Sequence, residues 1–255
     1  MTALITGASA GIGKELAVEF AKDKIDLILV ARREENMRKH AKELSDLYGI
    51  KAHVIAQDLS DPQSANTLFE KVNLLGLTVD YLVNNAGFGD NGEFVESDLK
   101  WQESMINLNV LTLTKLTHLF GAEMKKKKSG TILNLASTAS FQAGPMMSVY
   151  FATKHYVLAF SEAIAEELRP HNVFVSTLCP GPTQSEFGEV AGFGKIVPGD
   201  GNPFPVASEV AQFGYAQMKK KKVVAIHGFM NKLMAFGVRL VPRSIARKVA
   251  YSKVK

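Results

Sequence analysis

A glycine-rich turn close to the start of the chain limits the available folds more than any other feature. Thr6-Gly7-Ala8-Ser9-Ala10-Gly11-Ile12-Gly13 follows a short apolar run at 3–6 and leads into residues 11–22, where Ile12, Leu16, Ala17 and Phe20 recur at helical spacing. Between a strand and a helix, glycines remove Cβ atoms, so that backbone N–H groups and the helix N-terminus can approach a pyrophosphate. The strand needs parallel neighbours, and the rest of the 255-residue chain, which is 46% hydrophobic overall, supplies them.

Strands are expected at 25–31, 52–56, 79–83, 131–135, 173–178 and 223–226, alternating with helices at 34–48, 62–75, 99–124, 149–168 and 208–218. The near-continuous apolar run at 25–31 is the pattern of a strand buried on both faces. Alternation of this kind predicts one α/β domain with a parallel sheet covered on both sides. From 180 to 205 the pattern stops. Six glycines and five prolines make a connection longer than usual, which reads as a substrate lid or as a surface loop.

A second constellation lies past the middle. In Tyr150-x-x-x-Lys154 the two side chains share one helix face, close enough for the ammonium to favour ionisation of the phenol. Ser137 follows the strand at 131–135, at the sheet end where ligands of such folds bind, although Ser137, Thr138 and Ser140 are equally common in turns. Asn107 and Asn109 interrupt an apolar helix, and buried amides need partners. The lone cysteine, Cys179, excludes an intramolecular disulfide, and its apolar setting suits the core better than a nucleophile.

The net charge is +5, and the lysine runs at 125–128 and 219–222 each fall at an expected helix end, with no aromatic residues interleaved to stack on bases. Nucleic-acid binding is therefore not expected. No secretory signal precedes the first strand and no uncharged stretch is long enough to span a bilayer, so a cytoplasmic protein is expected. The segment 228–255 combines Phe229, Met230, Leu233, Met234, Phe236, Leu240 and Val241 with Lys232, Arg239, Arg243, Arg247 and Lys248. It permits an amphipathic helix up to Pro242 that lies peripherally on an anionic membrane, covers an apolar substrate pocket or packs against another subunit.

Five motifs occur in an order that resembles the classical short-chain dehydrogenase/reductase family: the 6–13 loop, Asp58-Leu59, Asn84-Asn85-Ala86-Gly87, Ser137 ahead of Tyr150-x-x-x-Lys154, and Pro180-Gly181-Pro182-Thr183. The resemblance runs to about residue 227 and implies a Rossmann-type doubly wound sheet of about seven strands, binding a nicotinamide dinucleotide. It implies that Tyr150 exchanges a proton with a carbonyl or secondary alcohol oxygen, that Lys154 tunes it and holds the ribose, that Ser137 binds the oxygen and that Asn109 anchors a water relay. It further implies coenzyme contacts from Gly7, Ser9, Gly11, Ile12, Gly13, Asp58, Leu59, Asn85, Ala86, Gly87, Pro180, Gly181 and Thr183, and a homodimer or homotetramer paired through the long helices.

Where such an NAD enzyme carries an acidic residue at the end of the second strand, this chain has Arg32 and Arg33, which favours NADP(H). Ala10 stands where the family's other basic NADP determinant is found. Glu34 and Glu35 follow directly, so the arginines also read as a solvated helix start. Phe88, Phe141, Pro145, Met146, Met147, Phe187 and Phe193 cluster near the expected substrate entry and suggest an apolar or lipid-like carbonyl. A dinucleotide-binding scaffold without turnover is the rival reading. A Rossmann methyltransferase would have no use for Tyr150 and Lys154.

Overall fold

Seven parallel strands form one sheet in the order β3-β2-β1-β4-β5-β6-β7. The computed structural model describes residues 1–192 and 204–252. The first half comprises β1 (Thr2–Thr6), α1 (Gly11–Lys22), β2 (Asp26–Ala31), α2 (Glu34–Tyr48), β3 (Ala52–Ala56), α3 (Ser64–Leu74) and β4 (Tyr81–Asn84). The second comprises α4 (Leu99–Ile106), a π-helical turn (Asn107–Thr112), α5 (Leu113–Lys127), β5 (Gly130–Leu135), α6 (Ser148–Leu168) and β6 (Val173–Cys179). It closes with α7 (Phe187–Val190), α8 (Ala207–Lys219), β7 (Val224–Ile226), α9 (Phe229–Gly237) and α10 (Arg243–Ser252). This is the doubly wound sheet that the alternation implied.

Strand periodicity divides the core between the two faces of the sheet. Ala3, Ile5, Leu27 and Leu29 join Leu16 and Phe20 of α1, while Leu4, Ile28 and Val30 join Leu68, Leu116 and Phe120 on the other side. Phe20 is fully buried and meets Tyr81 and Tyr215 edge to face, with ring centroids 5.2 and 4.8 Å apart. The central strands are also joined through buried amides. Asn84 Nδ2 donates to Thr117 Oγ1 at 3.0 Å and to Asn134 Oδ1 at 2.9 Å, and Asn134 Nδ2 donates to Ser161 Oγ at 2.9 Å. Asn84 thus belongs to the sheet rather than to a ligand surface.

Two elements depart from expectation. The helix read as continuous over 99–124 contains the π turn, in which one extra residue per turn rotates Asn109 into the interior, 1% exposed. The C-terminal segment forms two helices rather than one, because Pro242 cannot continue the first. The lysine runs do end helices: the last turn of α5 holds Lys125, Lys126 and Lys127, and Lys219 ends α8, 2.8 Å from Asp23.

The chain leaves β1, winds outward through β2 and β3, then returns to the other side of β1 as β4. At the carboxyl ends of β1 and β4 the connections part, toward β2 and toward β5, and this switch point is where sheets of this kind form a ligand crevice.

Candidate active site

The 6–13 turn lies at this crevice, and sterics require its glycines. Gly7 has φ +66°, and a Cβ there would lie 2.7 Å from Asn85 Nδ2 and 2.9 Å from Ala86 Cα. A Cβ on Gly13 would meet the Gly7 carbonyl, so α1 packs against the turn only with glycine at that position. Asn85 Nδ2 donates to the carbonyls of Thr6 at 2.8 Å and Gly7 at 3.2 Å, while the Asn85 and Ala86 backbone N–H groups donate to Thr6 Oγ1. The Asn85 side chain therefore pins the turn. The first turn of α1 has no acidic residue, and its N-cap, Ala10, offers no side-chain cap. Its orphan N–H groups and positive end remain for an anion, which fits the pyrophosphate of a dinucleotide.

At the end of β2, Arg33 meets Ser9 of the turn: Nη2 and Nε lie 3.3 and 3.4 Å from Ser9 Oγ. The same guanidinium donates to both oxygens of Glu186, at 3.2 and 2.6 Å. Glu186 was not among the residues expected here, and 153 positions separate the pair. Arg32 lies near Asp58. Partial burial opposes ionisation of the Asp58 carboxyl, but hydrogen bonds from the Ser60 N–H and hydroxyl, with the Arg32 charge, outweigh it and hold the pKa below the usual range. Asp58 is thus engaged in its own turn, and Leu59 is buried beside it.

The second constellation assembles on α6 against the end of β5. Tyr150 and Lys154 are both buried, and the ammonium lies 5.8 Å from the phenol ring centroid. Lys154 Nζ donates to the Leu135 carbonyl at 2.8 Å. Burial pushes the Tyr150 phenol up to about 12, opposed by a hydrogen bond with Ser137, and pulls the Lys154 ammonium down to about 8. Ser137 also accepts from the Ala139 N–H at 3.1 Å. Ser140, by contrast, donates to the Lys154 carbonyl at 2.6 Å and anchors α6.

Asn109 is a brace in this arrangement. Its Nδ2 donates to the Phe88 carbonyl at 2.9 Å and to Thr153 Oγ1 at 3.2 Å, and its Oδ1 accepts from the Phe88 N–H at 3.2 Å. A Cβ on Gly87 would lie 2.9 Å from that Oδ1 and 3.5 Å from Lys154 Nζ, so Gly87, Asn109 and Lys154 converge. Thr153 was missed by the sequence reading. Its only signal was a place within the Tyr150-to-Lys154 turn.

Residues 180–192 cross the crevice as a strap. Thr183 Oγ1 donates to the Gly181 carbonyl at 2.9 Å, and Pro180 accepts at its carbonyl from the Thr138 N–H at 2.8 Å. A Cβ on Gly11 would be 3.4 Å from Ser185 Cβ, so the strap touches the glycine turn. Beside Glu186, Phe187 packs against Tyr150 with ring centroids 5.2 Å apart and the two rings tilted. Phe88, Met147 and Phe187 gather around Tyr150 as expected, whereas Phe141 packs with Leu158 and Cys179 in a separate cluster. Phe193, also placed at the entry, lies outside the described residues. Cys179 is buried, and burial raises its thiol to about 12, as suits a core residue.

A family model described as short chain dehydrogenase matches residues 1–192. The chain is 37% identical over 184 residues to an uncharacterized oxidoreductase, YvrD, of Bacillus subtilis, spanning 72% of this chain and 68% of that one. It is 32% identical over 184 residues to the human very-long-chain 3-oxoacyl-CoA reductase, spanning 70% of this chain but only 58% of the relative. Among solved structures, a short-chain dehydrogenase from Sphingobium yanoikuyae in complex with NADPH superposes with TM-score 0.83 at 29% identity, covering 94% of this chain and 93% of that one.

Proposed function

The chain belongs to the short chain dehydrogenase family, and from that premise we propose that it is an NADP(H)-dependent oxidoreductase interconverting an apolar carbonyl compound and its secondary alcohol. One observation carries the reading: Tyr150, Lys154 and Ser137 converge at the end of β5, beside a glycine turn whose helix N-terminus has no cap of its own.

Gly7, Gly11, Ile12 and Gly13 would hold the pyrophosphate, Arg33 with Ser9 and Arg32 the 2′-phosphate, Asp58, Leu59 and the 85–87 turn the adenosine, and Pro180, Gly181 and Thr183 the carboxamide. A dihydronicotinamide held by these residues would supply a hydride for the carbonyl carbon. Tyr150, neutral at physiological pH because its burial opposes phenolate, donates its proton to the oxygen as negative charge develops. Ser137 donates a hydrogen bond to the same oxygen, strongest in the transition state. Lys154 holds a positive charge near the phenol and favours its ionisation in the reverse direction. Asn109 keeps Phe88 and α6 in register beneath them. Phe187 must leave Tyr150 for a substrate to enter, which makes the strap a lid, and the Phe88, Met147 and Phe187 cluster favours an apolar substrate. Leu99, Trp101 and Ile106 of α4 and Tyr156 of α6 are exposed, which supports a homodimer or homotetramer paired through these helices.

The test is NADPH consumption with a panel of apolar ketones. Tyr150→Phe should lower kcat by ~1,000-fold or more while NADPH still binds, read by fluorescence energy transfer. NADPH binding without turnover of any carbonyl would select the scaffold reading instead.

A further inference from the structure

We propose that residues 228–252, which form α9 and α10, are a docking surface for an anionic lipid bilayer. Its residues are nearly all in water. The only buried residue of α9 is Ala235, and α10 buries none, while Phe229 is 78% exposed and Leu240 72%. Met230, Leu233, Met234, Phe236, Ile245 and Val249 are exposed as well. An isolated ten-residue helix is marginal in water. An apolar surface of this extent calls for a partner.

The charge selects which partner. Residues 228–252 hold five of the thirty lysines and arginines and none of the twenty-five acidic residues, so the rest of the chain has 25 bases against 25 acids. The whole positive balance of the protein therefore sits on the segment that exposes the apolar side chains. At 100° per residue, Arg243, Arg247 and Lys248 fall on one side of α10 and Ile245 and Val249 on the other. That is the pattern of a helix lying in a membrane interface, apolar side down and cations level with the headgroups. Nucleic acid or an acidic protein would satisfy the charge and leave Phe229, Met230 and Leu240 in water. A second copy packed tail on tail would oppose like charges.

The surface adjoins the reaction site. A Cβ on Gly181 would lie 2.5 Å from Asn231 Nδ2, so α9 rests against the loop after β6. A bilayer at α9 therefore lies beside the strap, on the side from which an apolar substrate would arrive. The docking itself does not depend on the reaction assigned above.

Cosedimentation of the full chain with vesicles tests this, comparing pure phosphatidylcholine with mixtures containing phosphatidylglycerol. Binding is expected only to the anionic vesicles, weakening as salt is raised. The triple variant Arg243→Glu, Arg247→Glu, Lys248→Glu should bind on the order of 100-fold more weakly. Phe229→Ser with Leu233→Ser should also release the protein, with NADPH binding and melting temperature unchanged in both variants. Equal affinity for neutral and anionic vesicles, or none for either, overturns the proposal. So does a change in oligomeric mass in the Phe229→Ser, Leu233→Ser variant without any change in vesicle binding, which would mean that a second copy covers the face.

Discussion

The glycine-turn side and the Tyr150 side of the crevice are built on opposite principles. At the turn, backbone meets backbone: Gly7 and Gly13 sit where any Cβ would strike the neighbouring turn, and Asn85 ties the loop to two carbonyls. Around Tyr150, side chains meet side chains: Phe187, Phe88 and Met147 pack against it. The first tolerates almost no change in shape, because an added Cβ would strike backbone. The second can open, because contacts between side chains yield to a change of rotamer.

The contrast can be broken most forcefully at Gly13. Gly13→Ala should destabilise the fold by about 2 kcal/mol through overpacking, seen as a lower denaturation midpoint, and weaken both NADPH and NADH. A neutral substitution would show that the turn is not as tight as its geometry. Arg33→Ala should weaken NADPH by roughly 10- to 100-fold and leave NADH unchanged, because only the 2′-phosphate loses a charged hydrogen-bond partner. Parallel losses for the two coenzymes would remove Arg33 from phosphate selection.

A smaller effect should appear in the pH profile of kcat/KM for carbonyl reduction. Lys154 is pulled down to about 8, so its ammonium is present below that pH and lost above it, while Tyr150, pushed up to about 12, stays protonated throughout. The rate constant should fall about tenfold per unit above pH 8. A profile flat to pH 10 would detach the lysine charge from the chemistry. The smallest change is expected at the exposed ion pair. Glu186→Gln frees Arg33 from a competing carboxylate and should tighten NADPH by roughly two- to fivefold, with little change in stability. A weaker NADPH affinity would instead mean that Glu186 orients the guanidinium for the phosphate.

Much of the architecture was legible beforehand because it is local. The run at 25–31 is apolar at every position but Asp26, and β3 falls at the expected 52–56. The glycine turn carries its own steric signature. The Tyr150 and Lys154 pair needs only helical spacing to share a face. Other features arise from contacts that no window of sequence contains. The π turn at Asn107–Thr112 reflects how Asn109 reaches Phe88 and Thr153, on two other elements. Phe141 looked like a substrate residue by proximity to Ser137, but it turns into the Cys179 cluster because the short helix after Ser137 points it there. The break at Pro242 was read as the end of a helix, and nothing nearby announced that a second one follows.

Sequence alone decided the layering of the molecule, the place of the glycine turn and the pairing of phenol with ammonium, since each depends on spacing within a few residues. Only the folded chain decided that Glu186 reaches Arg33, that Phe187 covers Tyr150, that Asn109 serves as a brace and that α10 buries nothing. Those outcomes depend on which distant surfaces meet once the sheet has closed, and the energies that choose among them are differences in packing and desolvation between whole elements. Such differences have no counterpart in the residues read one after another.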